Sequence, residues 1–204
     1  MLNNARWLFF DMGYTLIDED ACWRQRAEDT VVGSAVNSDV LLSAMADHAA
    51  AGRDPYPYTL QEFGMEEMPW PLKQEVPYPD AIPVLRALHE KYKIGIISNQ
   101  APGIAERLYH FGLLDLIDSV ASSSELRVAK PDPRLFLLAL AQAGCMPADA
   151  VMIGDRLDND IGPARLLGMG TIWIRQGFGR MGRPGPGTTP DAVVQKLPEL
   201  LQIL

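Results

Sequence analysis

Four short segments of this sequence carry side chains suited to binding phosphate. Asp11 and Thr15 lie in FFDMGYT, Ser98 and Asn99 in IISN, Lys130 in AKPDP, and Asp155 and Asp160 in GDRLDNDI. Hydroxyl, amide and ammonium groups offer donors to phosphoryl oxygens, and clustered carboxylates offer hard oxygen ligands to a divalent cation. Singly, each segment has a plainer explanation: a helix cap, a Ser-Asn turn, a chance Lys-Pro pair, a solvated acidic loop. Their joint occurrence in this order is what points to one site.

Residues so far apart meet only if the fold gathers them. Trp7 to Asp11 (WLFFD) is an apolar run ending in a carboxylate, as expected of a strand covered on both faces in a parallel sheet. From Tyr78 onward, helix and strand patterns alternate. Asp80 is placed to cap a helix reaching about Tyr92, and Lys93 to Ser98 reads as a strand. A helix over Pro102 to Phe111 stops at Gly112, a weaker strand follows at Ile117 to Ala121, and Asp132 to Ala143 is a helix. Ala150 to Gly154 and Gly170 to Arg175 are strands around a short helix at Asn159 to Leu167, and Ala192 to Val194 and Leu197 to Leu204 add a last strand and helix. This order predicts an α/β fold, a doubly wound parallel sheet of the Rossmann-like kind. In such a sheet ligands gather outside the carboxyl ends of the strands, where all four segments fall.

Between Asp18 and about Glu75 the pattern changes. Two helices are expected there, Ala21 to Val36 and Asp39 to Ala51, followed by Pro-broken sequence around DPYPYTL and MPWPL. The division expected is a catalytic core of residues 1–16 and 79–204 with a small helical insertion at 17–78. The Gly- and Pro-rich stretch Gln176 to Pro190 lacks G-x-x-x-x-G-K-[ST] and is expected to be a mobile surface loop.

Bulk properties narrow the class. At 204 residues the chain is long enough for one good core and a small insertion. A net charge of −8 argues against sequence-independent nucleic-acid binding and against an anionic membrane surface. No signal peptide is evident, and no apolar run approaches the roughly 20 residues needed to span a bilayer. Cys22 and Cys145 lie far apart with no metal-ligand spacing, as expected of reduced thiols in a cytoplasmic protein.

The four motifs together resemble those of the haloacid dehalogenase superfamily, whose members are mostly phosphatases. Its D-x-D-x-[TV] appears as DMGYT, its hydrophobic run before [ST] as IISN, its lysine as AKPDPRLF and its acidic pair G-D-x-x-x-x-D as GDRLDND. The resemblance spans the chain and is of the subfamily IA type, with a small helical cap of the C1 kind. It implies a Mg2+-dependent phosphatase acting on a small phosphorylated metabolite. Asp11 then looks like the nucleophile, taking the phosphoryl group as an aspartyl-phosphate and splitting one hard displacement into two easier ones. Asp155 and Asp160, with Asp11 and the backbone carbonyl of Gly13, look like the Mg2+ site; the cation offsets repulsion between carboxylate and phosphate. Ser98 and Lys130 look like donors to the phosphoryl oxygens. Asn99 belongs with them, and Thr15 both contacts the phosphate and braces the nucleophile loop.

One position departs from the pattern. The second aspartate of D-x-D, which in these phosphatases protonates the leaving group and then activates water, is here Gly13. General acid–base catalysis contributes about 10²–10⁴-fold, whereas phosphate-monoester hydrolysis leaves room for accelerations of up to about 10²¹. The expectation is therefore a handicapped or specialised phosphatase, whose leaving groups need little protonation or in which water or a cap residue fills the gap. Rival readings are a non-catalytic phosphate-binding relative, a dehalogenase, which does without Mg2+ and lacks the intact acidic pair, and a phosphonate-cleaving enzyme, for which the insertion offers only Lys73. A response-regulator receiver fails on motif order. Elsewhere, His48, His89 and His110 are expected at the surface or at helix ends, and Arg24, Arg26 and Arg53 on solvated helix faces. Trp70 and the YPYTL aromatics are expected either to line a cleft or to form the insertion's small core.

Overall fold

The computed structural model describes residues 2–204. In chain order the strands are β1 (Trp7–Phe10), β2 (Ile17–Asp18), β3 (Val76–Pro77), β4 (Lys93–Ser98), β5 (Ser119–Ser122), β6 (Ala150–Gly154), β7 (Gly170–Ile174) and β8 (Ala192–Val194). Six of them form one sheet in the order β5-β4-β1-β6-β7-β8 with every neighbouring pair parallel. β1 takes the middle because both its faces are apolar. Leu8 and Phe10 pack with Ile94, Ile96, Ile153 and Ile172 on one side, while Phe9 packs with Ile97, Met152 and Phe136 on the other. That split is the two-residue period of a strand. The chain runs from β1 out to β4 and β5, then crosses back to β6, β7 and β8. The strand order therefore reverses at β1, and the crevice beyond its carboxyl end is where such a sheet binds ligands.

Between β1 and β4 the chain forms helices at Asp20–Thr30, Ser38–Ala50 and Pro55–Phe63. The third was not expected, because its prolines read as breakers. Pro55 occupies the first helical turn, where proline's missing N–H costs nothing, and Gly64 at φ 62° ends the helix. These helices bury their own cluster of Met45, Tyr56 and Leu60, with Trp23 packed against it. Arg26 is not on a solvated face: its guanidinium lies 3.9 Å from the Tyr56 ring centre and donates to the Met68 carbonyl at 2.7 Å. His48 is likewise buried, 2.8 Å from Glu62 Oε2, because the apolar side of its helix faces the cluster. Where this segment leaves and rejoins the sheet, β2 and β3 pair antiparallel and Tyr78 N–H donates to the Leu16 carbonyl at 2.9 Å.

Two further expectations shift. Asp80 precedes the helix Ala81–His89 without a side-chain capping bond, whereas Asp132 caps Pro133–Ala143 through the Arg134 N–H. The helix expected from Asn159 begins instead as a π-helical turn at Leu157–Ile161 before continuing as Gly162–Leu166. No helix among the described residues is long and apolar enough to cross a membrane.

Candidate active site

Asp11 directly follows β1, and its N–H still donates across the sheet to the Ile153 carbonyl at 2.9 Å. The chain then turns tightly, with Met12 O accepting from Leu16 N–H at 2.9 Å and Ile17 N–H at 3.0 Å. Tyr14 adopts φ 50° inside this turn, an uncommon conformation for a bulky residue. The same turn points Thr15 inward. Thr15 is fully buried and does not line the cavity described below.

Ser98, at the end of β4, donates to Asp11 Oδ1 at 2.7 Å, and Lys130 Nζ reaches the same oxygen at 2.7 Å. The Lys130 ammonium also lies 2.6 Å from Asp160 Oδ1 and 3.1 Å from the Ile97 carbonyl, so its three donors meet three acceptors. Burial works against its charge, but the carboxylates of Asp11 and Asp160 outweigh that and hold its pKa above the ordinary value. Asn99 differs from expectation. Its Nδ2 donates to the Lys130 carbonyl at 3.0 Å, and its Oδ1 accepts from the Lys130 N–H at 2.8 Å. The amide thus grips the backbone that carries the ammonium.

Asp155 and Asp160 leave β6 together. Carboxylate oxygens of Asp11, Asp155 and Asp160 all lie within 4.8 Å of one another. The widened π turn swings Asp160 back under Gly154, where a Cβ would overlap its carboxylate, and Asp160 Oδ2 accepts the Arg156 N–H at 2.9 Å. Burial, with the Asp160 and Asp11 charges, pushes the Asp155 carboxyl well above its usual range. Burial also raises Asp160, to about 6, against the pull of Lys130. One lysine thus serves Asp11 and Asp160, while no hydrogen bond from the described residues reaches the Asp155 carboxylate. Three hard oxygen donors with this charge deficit fit a Mg2+ ion.

Above these groups lies a cavity of about 150 Å³, lined among others by Asp11, Gly13, Glu19, Ser98, Lys130 and Asp155. Sequence reasoning missed several of its walls. Glu19, just beyond β2, is buried with Trp23 Nε1 donating to its Oε2 at 3.3 Å; burial and the charges of Asp11 and Glu75 push its carboxyl up to about 8. Arg156 is held by Asp158 at 2.6 Å and reaches Asp54 of the inserted segment at 3.5 Å.

The Gly-rich stretch after β7 is also part of the site. A Cβ at Gly177 would collide with the Tyr14 ring, and one at Gly179 would lie 2.6 Å from Asp155 Oδ2. Between them Phe178 lines the cavity and meets Tyr14 and Trp23 edge-on at 6.1 and 5.8 Å. Its start is therefore docked. An aromatic bracketed by two glycines just after a strand was the available signal.

Comparison with known proteins agrees with this geometry. Residues 6–168 match the family model of haloacid dehalogenase-like hydrolases. A glyceraldehyde 3-phosphate phosphatase of Methanopyrus kandleri is 37% identical over 134 residues, 63% of this chain. A phosphoserine phosphatase of Thermus thermophilus is 35% identical over 126 residues, 60% of this chain. The chain spans about half the length of these curated relatives, 56% and 49% respectively. The crystal structure of a HAD phosphatase from Thermococcus onnurineus superposes with a TM-score of 0.68 at 25% identity, covering 97% of both chains. With the family model matching well over half of its length, the chain belongs to the haloacid dehalogenase-like hydrolase family.

Proposed function

We propose that this chain is a Mg2+-dependent phosphatase that hydrolyses a small phosphorylated metabolite through an aspartyl-phosphate on Asp11. The observation that carries this reading is the convergence of Ser98 Oγ and Lys130 Nζ on one oxygen of Asp11, at 2.7 Å each. Among the described residues Asp11 Oδ2 accepts no hydrogen bond, which leaves it available to attack phosphorus. Two of the relatives that match are phosphatases of small monoesters, glyceraldehyde 3-phosphate and phosphoserine. A cavity of about 150 Å³, below the usual range of drug-sized ligand sites, favours a small substrate.

In this reading Lys130 and Ser98 orient Asp11 and hold charge on the phosphoryl oxygens. Asn99 positions Lys130 by its backbone, and Thr15 braces the turn from behind. Asp11, Asp155 and Asp160 hold the Mg2+, which when bound screens the negative charge of carboxylate and phosphate. Residues 17–78 act as a cap that shields the cavity from water.

The test is a panel of metabolite phosphates assayed with Mg2+ for the wild type and Asp11→Asn. Turnover by the wild type that the substitution abolishes supports the reading. Unchanged phosphatase activity in Asp11→Asn would sink the nucleophile assignment.

A further inference from the structure

Hydrolysis of an alkyl phosphate needs a group to protonate the departing oxygen, since an alkoxide is a poor leaving group. Most groups lining the cavity are committed elsewhere. All three donors of Lys130 are engaged, by Asp11, Asp160 and the Ile97 carbonyl. Ser98 is bound to Asp11, and the Tyr14 hydroxyl donates to Asp20 at 2.9 Å. Arg156 does not release a proton in proteins, Asp54 is paired with Arg156 at 3.5 Å, and Asp155 belongs to the acidic cluster. Glu19 remains.

Its placement is specific. A Cβ built on Gly13 would lie 2.7 Å from Glu19 Cδ and 2.9 Å from Oε2, and closer still to Oε1. Gly13 is not among the glycines with positive φ, so its backbone admits a side chain. What excludes one is the Glu19 carboxyl. Trp23 donates to Oε2, while Oε1, the atom nearest the Gly13 Cβ position, accepts no hydrogen bond among the described residues, and both residues line the cavity.

We infer that Glu19 is the proton-handling catalytic residue, delivering from position 19 a carboxyl to the volume that a side chain at position 13 would fill. This rests on the phosphatase reading above. In the first half-reaction an Asp11 oxygen bonds to phosphorus, the phosphorus–oxygen ester bond breaks, and the leaving oxygen takes the Glu19 proton. In the second, Glu19 carboxylate takes a proton from water as the water oxygen bonds to phosphorus. The bond from phosphorus to Asp11 breaks with its electron pair returning to the carboxylate, releasing inorganic phosphate and restoring protonated Glu19.

The experiment compares an aryl phosphate, nitrophenyl phosphate, whose leaving group needs little protonation, with an alkyl phosphate, glycerol phosphate. Glu19→Gln keeps the size and an acceptor for Trp23. It is expected to lower kcat for the alkyl ester by about 10²–10⁴-fold while phosphorylation of Asp11 by the aryl ester, read as a burst, stays near the wild-type rate. Gly13→Asp alone is expected to be poorly tolerated, and Gly13→Asp with Glu19→Ala to recover alkyl-ester turnover relative to Glu19→Ala. Equal losses in the rate of Asp11 phosphorylation by the two esters in Glu19→Gln mark a merely structural role and overturn the inference, as does no loss with either. Should the double variant not fold, the ester comparison in Glu19→Gln decides. A wild type that turns over neither ester defeats the phosphatase reading itself, a distinguishable result.

Discussion

Asp160 Oδ1 lies 2.6 Å from Lys130 Nζ, so the second acidic residue of the GDRLDND segment grips the lysine while its carboxylate belongs to the acidic cluster. The ammonium spans that contact and the 2.7 Å contact to Asp11, and so holds the ends of β1 and β6 together.

Removing the lysine leaves two carboxylates without their cation. Breaking a buried ion pair from one side typically costs about 3–5 kcal/mol. Lys130→Met is expected to lose stability on that scale in Mg2+-free buffer, read as a lower urea midpoint, with part recovered on adding Mg2+. An unchanged midpoint would show that the pair contributes little.

Ser98→Ala removes one of the two donors on Asp11 Oδ1 and leaves no large void. Loss of a single preorganised donor at a reacting centre typically costs about 10²–10³-fold in kcat. A fall in kcat with little change in the thermal midpoint is expected from steady-state kinetics and melting curves on the same preparation. A wild-type kcat would place the hydroxyl outside the chemistry.

The acidic site makes stability depend on pH in a definite direction. Glu19 rises from an ordinary 4.5 to about 8 in the folded chain, and Asp160 from 3.8 to about 6. Across that window the folded state keeps protons that the unfolded state has released, so stability falls as pH rises. Below it both states are protonated at these groups and the penalty vanishes. Without Mg2+ the thermal midpoint should therefore drop between about pH 5 and about pH 8. Added Mg2+ should raise it more at the upper end, and a midpoint climbing across this range would contradict the assignment.

Gly179→Ala would drive a methyl group into the Asp155 backbone carbonyl and to 2.6 Å from its Oδ2. Overpacking of this kind costs about 1–3 kcal/mol. Because the intrusion falls on a proposed metal ligand, the Mg2+ concentration for half-maximal activity should also rise. Titration of activity with Mg2+ checks this; an unaltered profile would mean that the loop yields instead of Asp155.

Much of the core was legible because local pattern and tertiary role coincide there. WLFFD reads as a strand buried on both faces and KIGIIS as a second strand, and in a parallel sheet the residues ending them converge. What escaped notice depended on contacts distant in sequence. Pro55 looked like a breaker, yet it begins a helix. Asn99 looked like a phosphate ligand; its amide also grips the Lys130 backbone, a contact between segments that the sequence does not show. The vacancy at Gly13 was visible, but Glu19 is six positions on, across a tight turn whose geometry no periodicity encodes. Phe178 was hidden by its glycine-rich surroundings, which read as a mobile surface loop and instead permit close docking.

The antiparallel pairing of Ile17–Asp18 with Val76–Pro77 has an evolutionary consequence. Because the inserted segment leaves and returns side by side, a lineage could exchange nearly all of it without disturbing the sheet or Asp11, Ser98, Lys130 and Asp155. Selectivity could then diversify while the groups proposed to handle phosphate stayed fixed. Glu19 stands one residue beyond the exit strand. An exchange that cut at the strand itself would discard it, so a glycine at position 13 commits its descendants to inheriting the first residue of the graft.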